Sequence, residues 1–268
     1  MTDKPLSSTT LGILGVGYFA SYFIAGLRKG GFEGQILLSP RNAETASKLA
    51  KTHNGSIAAT NQEVIDRSDI VLLSVKPEHL RALLTELVFR DDQTIISAIA
   101  GISVENHHKA GRLPKTLIRM IPVCCIAAGE GVVPIYPANK TVETIARFAG
   151  APVVFNSEEE FDLSLAASCM NGWLYELFGS MAQWLENKGL PPETARALVL
   201  HNVRGATGYA LLKGSEDLTS ITNGIATEGT YTLKGLDVLK EQQGITAWDK
   251  ALDEVHANLT KDNEKTCI

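Results

Sequence analysis

Four cysteines occur in the 268 residues, at positions 124, 125, 169 and 267, and no two are spaced Cys-x-x-Cys. A disulfide framework and a redox dithiol motif are therefore absent. Adjacent Cys124 and Cys125 are poorly placed to bridge each other, so the cysteines read as reduced thiols of a cytoplasmic protein. Histidine is scarce as well, with six residues and no metal-ligand spacing beyond the adjacent His107-His108. That pair reads as a cap or decoration on a polar helix end, and no metal is expected. Basic residues do not outnumber acidic ones: Lys and Arg total 25 against 30 Asp and Glu, a formal net charge of −5. Nothing in that balance points to nucleic acid or to an anionic membrane. No apolar run approaches the length of a membrane span, and the polar opening Met1–Thr10 lacks the apolar core of a secretory signal. Both polar ends, Met1–Thr10 and Lys261–Ile268, are expected to fray. Aromatic residues make up 6% of the chain, and Trp173, Trp184 and Trp248 read as core or interface residues.

What is present is a regular alternation. Strand-like runs at Leu11–Leu14, Gln35–Leu38, Ile70–Val75, Thr94–Ala98 and Thr116–Ile121 are separated by helical patterns at Phe19–Lys29, Ala43–Thr52, Gln62–Arg67 and Pro77–Leu87. Strands alternating with helices predict a parallel, doubly wound sheet with crossover connections. Ile70-Val71-Leu72-Leu73 is apolar on consecutive residues, as a strand covered on both faces should be. A further stretch of the same kind runs through Val132–Ile135, Val142–Ala149 and Val153–Phe155. After Ser157 the pattern becomes helical throughout: a long helix opened by Glu158-Glu159-Glu160 and running to Lys188, a second from Pro191-Pro192 to about Lys213, and two more around Gly229–Gln243 and Ala247–Leu259. The predicted architecture is α/β, with a Rossmann-type nucleotide domain over residues 1–157 and an all-α domain over 158–268. Leu163, Leu165, Leu174, Leu177, Phe178, Met181, Trp184 and Leu185 lie on more than one face of the long helix. A helix apolar all round has to be covered, and so small a domain offers little surface to cover it. Dimerisation through this half is expected.

The run Leu11-Gly12-Ile13-Leu14-Gly15-Val16-Gly17-Tyr18-Phe19-Ala20 passes from strand to glycine turn to helix, the order that a dinucleotide pyrophosphate needs. Gly15 permits the tight turn, Gly17 lets backbone approach the phosphates, and Ala20 keeps the helix close to the strand. The helix start offers amide donors and a partial positive charge. At the end of the second strand, Ile36-Leu37-Leu38-Ser39-Pro40-Arg41-Asn42 has no acidic residue to receive the ribose 2′-hydroxyl of NAD. Ser39, Arg41 and Asn42 instead offer donors, and a guanidinium suits a 2′-phosphate, so the expected cofactor is NADPH rather than NADH. The competing reading of Arg41 is a surface residue in a strand–helix loop. Ser74-Val75-Lys76-Pro77 closes another strand, where Lys76 faces the crevice or simply precedes a helix.

Beyond these local readings the chain resembles the pyrroline-5-carboxylate reductase family. The resemblance is carried by Leu14–Ala20, by Val75-Lys76-Pro77 and by Ser97-Ala98-Ile99-Ala100-Gly101-Ile102-Ser103. Further matches are Arg119-Met120-Ile121-Pro122, Gly129-Glu130-Gly131, Asp162 at the opening of the long helix, and Gly229-Thr230-Tyr231-Thr232-Leu233-Lys234-Gly235-Leu236. It implies an NAD(P)H-dependent enzyme of proline biosynthesis with a helical domain interlocked with its dimer mate and open to higher assembly. The cofactor would lie against Gly15, Val16, Gly17, Tyr18, Phe19, Ala20, Ser39, Arg41, Asn42, Val75, Lys76, Pro77, Ala100 and Gly101. Thr232 aligns with the family's proposed active-site threonine, and Ser168, Asn171, Gly229 and Thr230 would meet the substrate. From the residues alone Thr232 is a helix-start threonine, and Ser168, Asn171 and Thr230 are equally placed for local backbone hydrogen bonds.

The departures from the family concentrate where substrate would bind. Val123-Cys124-Cys125 replaces Asn-Thr-Pro, Ser168-Cys169-Met170-Asn171-Gly172 replaces a Ser-Gly-Ser-Gly-Pro turn, and Thr227-Glu228-Gly229-Thr230 replaces Ser-Pro-Gly-Gly. Glu228 adds negative charge near an anionic substrate. Cys124-Cys125 reads as filler beside the cofactor rather than as a redox sensor. Reduction of a different imine, or NADPH binding without catalysis, stand as alternatives. No lysine occurs between Glu158 and Asn187, which argues against the related 3-hydroxyacid dehydrogenases, whose chemistry uses a lysine of the long helix.

Overall fold

Strand β1 (Thr10–Leu14) leads into helix α1 (Tyr18–Lys29), and the pattern continues through β2 (Gln35–Leu38), α2 (Ala43–Thr52), β3 (Ser56–Ile57), α3 (Asn61–Asp66) and β4 (Ile70–Leu73). The computed structural model describes residues 8–265. Next come α4 (Leu80–Thr85), β5 (Thr94–Ser97), α5 (Val104–Ala110), β6 (Leu117–Met120), β7 (Val132–Tyr136), α6 (Lys140–Ala149) and β8 (Ala151–Val154). The strands form one sheet in the order β3-β2-β1-β4-β5-β6-β7-β8. The first six strands reproduce the dinucleotide-binding order 3-2-1-4-5-6. The reversal of winding falls between β1 and β4, which pair in parallel from Leu11 opposite Ile70 to Leu14 opposite Leu73.

One pairing departs from the all-parallel expectation. Strands β6 and β7 are antiparallel, with Arg119 opposite Tyr136. Only a 3-10 turn, Cys124–Ala128, stands between them, and so short a link cannot supply the helical crossover that parallel strands require. The two-residue β3 and the short α5 also lie outside the sequence reading.

The core follows from the pattern. All four residues of β4 are buried, as a strand covered on both faces requires. Helix α1 buries Ala20, Phe23, Ile24 and Leu27 at i, i+3, i+4 and i+7, against Leu11 and Ile13 of β1 among others. Leu14, Val71, Leu73, Leu80, Leu83 and Ile95 pack on the opposite face of the sheet.

Helices α7 (Glu158–Asn187), α8 (Pro192–Leu212), α9 (Leu218–Ile225), α10 (Tyr231–Glu241) and α11 (Thr246–Lys265) complete the chain. By contacts the chain divides into two compact units, one running up to Ser168 and resuming at His256, the other Cys169–Val255. Within the second unit Ala195 and Val199 alone are buried, and Trp173 meets Trp248 edge-on with ring centroids 5.9 Å apart. Tyr175, Met181, Trp184, Leu211 and Leu212 are exposed, Trp184 at 61% and Leu212 at 81%. Cys124, Cys125 and Cys169 are free thiols, while Cys267 and residues 1–7 lie outside the described residues.

Candidate functional site

The glycine turn sits where β1 meets α1, at the carboxyl edge of the sheet. Gly15 has φ +97, and a Cβ there would fall 2.5 Å from the Ser74 carbonyl oxygen and 2.9 Å from Val75 Cγ1. Both conditions demand glycine. Gly17 is different: it precedes α1 with an extended backbone, and a Cβ would meet nothing within 4 Å. The side chain of Gly17's position is missing at the mouth of the helix, so the space in front of it stays open. Helix α1 has no side-chain cap and no acidic residue in its first turn. Its leading amides and its dipole are therefore available to an anion, and the cradle fits a pyrophosphate.

Neighbouring strand ends hold this turn. The Ser74 backbone N–H donates to the Leu14 carbonyl at 2.8 Å, and its hydroxyl donates to the Gly15 carbonyl at 2.7 Å. On the other side the Gly15 N–H points to Ser39 Oγ at 3.4 Å, and Asn42 Nδ2 donates to the Val16 carbonyl at 3.2 Å. Ser39 is buried beneath the turn, and Asn42 takes the left-handed conformation, φ 68, as α2 begins. Both residues thus support the turn through side chains that the backbone already engages. Arg41 between them and the start of α2 is exposed and forms no ion pair among the described residues, so its guanidinium is free for a ligand beyond β2. Lys76 is exposed, 4.0 Å from Glu78, and Pro77 opens a 3-10 turn directly after it. Tyr18, at the first position of α1, is 82% exposed and stacks edge-on against Tyr22 at 5.7 Å. Tyr22 in turn donates to the Pro122 carbonyl at 3.3 Å, and burial, with Cys124 and Tyr18 nearby, raises its phenol above the ordinary range.

At α5 the structure corrects a further expectation. His107 does not decorate a polar helix end; it is fully buried on α5. Its Nδ1 lies 2.8 Å from the Ser103 carbonyl and its Nε2 2.7 Å from Ser97 Oγ. A carbonyl only accepts, so Nδ1 carries the proton and Nε2 accepts from the Ser97 hydroxyl. Ser97 Oγ in turn accepts the Ile99 N–H at 3.2 Å. Burial first, opposed by the Ser103 bond and assisted by the charges of Arg119 and His108, lowers the imidazole to about 4. The sequence reading took His107 and His108 as equivalent, whereas α5 turns only the first of them inward.

Arg119, fully buried on β6, was likewise given no role in the sequence reading. Its Nη1 meets Glu158 Oε1 at 2.7 Å and its Nη2 meets Asp162 Oδ1 at 2.9 Å, both on the opening turns of α7. The Phe161 ring lies under the guanidinium, 4.5 Å from its centroid. Glu158 Oε1 also accepts the Val104 N–H at 2.8 Å. A charge inside the apolar run Leu117-Ile118-Arg119-Met120 was the available signal, since a buried guanidinium needs carboxylates.

The remaining predicted residues lie on the helices. Ser168 on α7 donates to the Ser164 carbonyl at 2.8 Å, and Asn171 is half-buried one turn further on. Gly229, φ +83, shapes the turn before α10, and Thr230 caps that helix by accepting the Leu233 N–H at 3.2 Å. Thr232 is exposed in the first turn of α10. Cys125 has its thiol pKa raised by burial and by Cys124, the opposite of a redox-reactive thiol.

Comparisons with known proteins bear on both halves. Residues 10–101 match the family model described as NADP oxidoreductase, coenzyme F420-dependent, and residues 158–261 match pyrroline-5-carboxylate reductase dimerisation. The chain is similar to the pyrroline-5-carboxylate reductase of Haemophilus influenzae, 26% identical over 245 residues that cover 87% of this chain and 89% of that protein. Its fold is like that of the Streptococcus pyogenes 1-pyrroline-5-carboxylate reductase, with TM-score 0.82 at 24% identity, covering 96% of this chain and 99% of the other. It is also like that of the Plasmodium falciparum pyrroline carboxylate reductase solved with NADP bound, with TM-score 0.81 at 20% identity, covering 97% of this chain and all of that one.

Proposed function

We propose that this chain, which belongs to the pyrroline-5-carboxylate reductase family, reduces 1-pyrroline-5-carboxylate to proline at the expense of NADPH. The single observation that carries the reading is the open, uncapped turn at Gly15–Gly17 at the switch point of the sheet, in a chain whose helical half matches the family's dimerisation model. The adenosine end would lie beyond β2, where Arg41 meets the 2′-phosphate. The pyrophosphate would sit on α1. The nicotinamide would then extend across the ends of β4 and β5 toward Val75, Ala100 and Gly101.

NADPH supplies the hydride when bound, and the imine carbon accepts it while the ring nitrogen takes a proton from solvent or a relay. An iminium accepts hydride readily, so the residues have to position rather than activate. Thr232 is assigned the hydroxyl that orients the ring nitrogen, with Ser168, Asn171, Gly229 and Thr230 around the substrate. The working division is a nucleotide half, residues 1–157, and a helical half, 158–268. The exposed Met181, Trp184, Leu211 and Leu212 support a homodimer through the helical half. Among the described residues no helix is long and apolar enough to cross a membrane, and the proposed location is the cytoplasm.

A second reading, reduction of an imine without a carboxylate, is favoured by Glu228 and by the loss of glycines in Ser168–Gly172 and Thr227–Thr230. The discriminating experiment follows NADPH oxidation on adding 1-pyrroline-5-carboxylate, 1-pyrroline and larger cyclic imines to the purified protein. Turnover of the carboxylate substrate, slowed about tenfold in Thr232→Ala, is the expected result. Turnover confined to uncharged imines selects the second reading, and nucleotide binding with no turnover of any of them removes both.

A further inference from the structure

Two buried polar contacts converge on one loop. Residues 98–103, between β5 and α5, include Ala100 and Gly101 and cross the carboxyl edge of the sheet next to β4. At the start of the loop, Ser97 Oγ accepts the Ile99 N–H and donates to His107 Nε2. At its end, the Ser103 carbonyl accepts the His107 Nδ1 proton, and Ser103 Oγ caps α5 by accepting the Asn106 N–H. One neutral imidazole therefore spans the loop and holds both ends to a fixed separation. One residue further, the Val104 N–H donates to Glu158 Oε1, and Glu158 is fixed by the buried Arg119, which also holds Asp162. The Ser103 carbonyl, which can only accept, fixes the direction of the two imidazole bonds, and of the Arg119 guanidinium only Nε is left without a partner.

A brace of this kind does more than the fold needs. The sheet is already held by its ladders, and Ile99 and Ile102 are buried in the core on their own account. A buried guanidinium with two carboxylates is a poor source of stability compared with an apolar cluster of equal volume, so its presence calls for a geometric role. Resting on the cofactor placement proposed above, we propose that His107, with Ser97, Arg119 and Glu158, is a positioning residue that sets the Ala98–Gly101 loop as the floor under the nicotinamide ring. None of the four touches the reacting atoms. Their effect is on the nicotinamide end alone, because the adenosine and pyrophosphate contacts belong to α1 and to the loop after β2.

The experiment compares two ligands on the same variants. NADPH reports on the whole site, and 2′-phospho-ADP-ribose, which lacks nicotinamide, reports on the adenosine end only. Ser97→Ala, Arg119→Lys, His107→Gln and His107→Asn are titrated with both by calorimetry, with thermal melting as a check of folding. Glutamine can still accept from Ser97 where Nε2 stood, and asparagine can still donate to Ser103 where Nδ1 stood but leaves the Ser97 hydroxyl proton without its acceptor. The expected result is NADPH binding weakened fivefold or more in Ser97→Ala and His107→Asn, less in His107→Gln, with the fragment unchanged within twofold. In turnover kcat falls at least tenfold in the same order. Equal loss for both ligands, or unchanged NADPH binding in folded Ser97→Ala, overturns the proposal; Ser97→Ala alone decides it should the Arg119 and His107 variants fail to fold. If wild-type protein binds NADPH but reduces no imine, the assigned reaction falls while the two-ligand comparison still decides this inference.

Discussion

The two units of the chain treat their apolar side chains in opposite ways. Up to Ser168 the protein buries Leu, Ile, Val and Phe on both faces of the sheet, and even His107 and Arg119 are enclosed with partners. In Cys169–Val255 only Ala195 and Val199 are buried, while Trp184, Leu211 and Leu212 face outward and Met181, Trp184, Leu185, Leu198 and Val203 line an open groove between α7 and α8. A layered α/β sheet covers itself with its own helices, whereas a handful of helices has too little mutual surface to cover all of their apolar faces. The nucleotide half is complete as a single chain. The helical half reads as half of a core, in keeping with its match to a dimerisation model.

The largest effect that bears on this contrast comes from the groove. Replacing Met181 and Trp184 together with glutamate places charges on each copy of the proposed interface, at a cost of about 4 kcal/mol or more. Light scattering should then report monomer, with melting of the helical half shifted down and the nucleotide half unchanged. A wild-type protein that is monomeric at micromolar concentration would end the idea of a shared core.

A second test probes the enclosed half. Folded His107 takes up a proton only near pH 4, against 6.5 for the free side chain. Between those values the unfolded state binds more protons, so stability falls as pH drops through the window, by about 3 kcal/mol at pH 4 and below. Above pH 6.5 this residue contributes no pH dependence. Urea unfolding of wild type and His107→Gln at pH 7 and pH 5 isolates the effect. The same acid-induced loss in both proteins would show that the imidazole is not held neutral.

The smallest effect is expected at the exposed edge of the nucleotide half. Arg41→Ala should reduce the preference for NADPH over NADH by about 1–2 kcal/mol, roughly tenfold, leaving NADH affinity unchanged. Steady-state comparison of the two cofactors measures it, and equal use of both by wild type would dismiss a 2′-phosphate contact.

The glycine turn, the strands at Leu11–Leu14, Gln35–Leu38 and Ile70–Val75, and the long helix were legible because each depends on residues adjacent in the chain. The cap at Thr230 and the αL turn at Gly229 also lie within four residues of their partners. Harder to read were α5, whose Val104-Glu105-Asn106-His107-His108-Lys109-Ala110 is polar at all but its two ends, and the reversed β7, whose apolar pattern fits either strand direction.

The sequence by itself therefore determined the class of the fold, the dinucleotide turn and the apolar excess of the helical half, all properties of local order and composition. Only the tertiary structure decided that His107 is enclosed and neutral and that Arg119 belongs to two carboxylates on α7. It also decided that one loop at the sheet edge is braced from both ends. Arg119 and Glu158 stand 39 positions apart, and a buried charge finds its partner through packing, which no short-range pattern encodes.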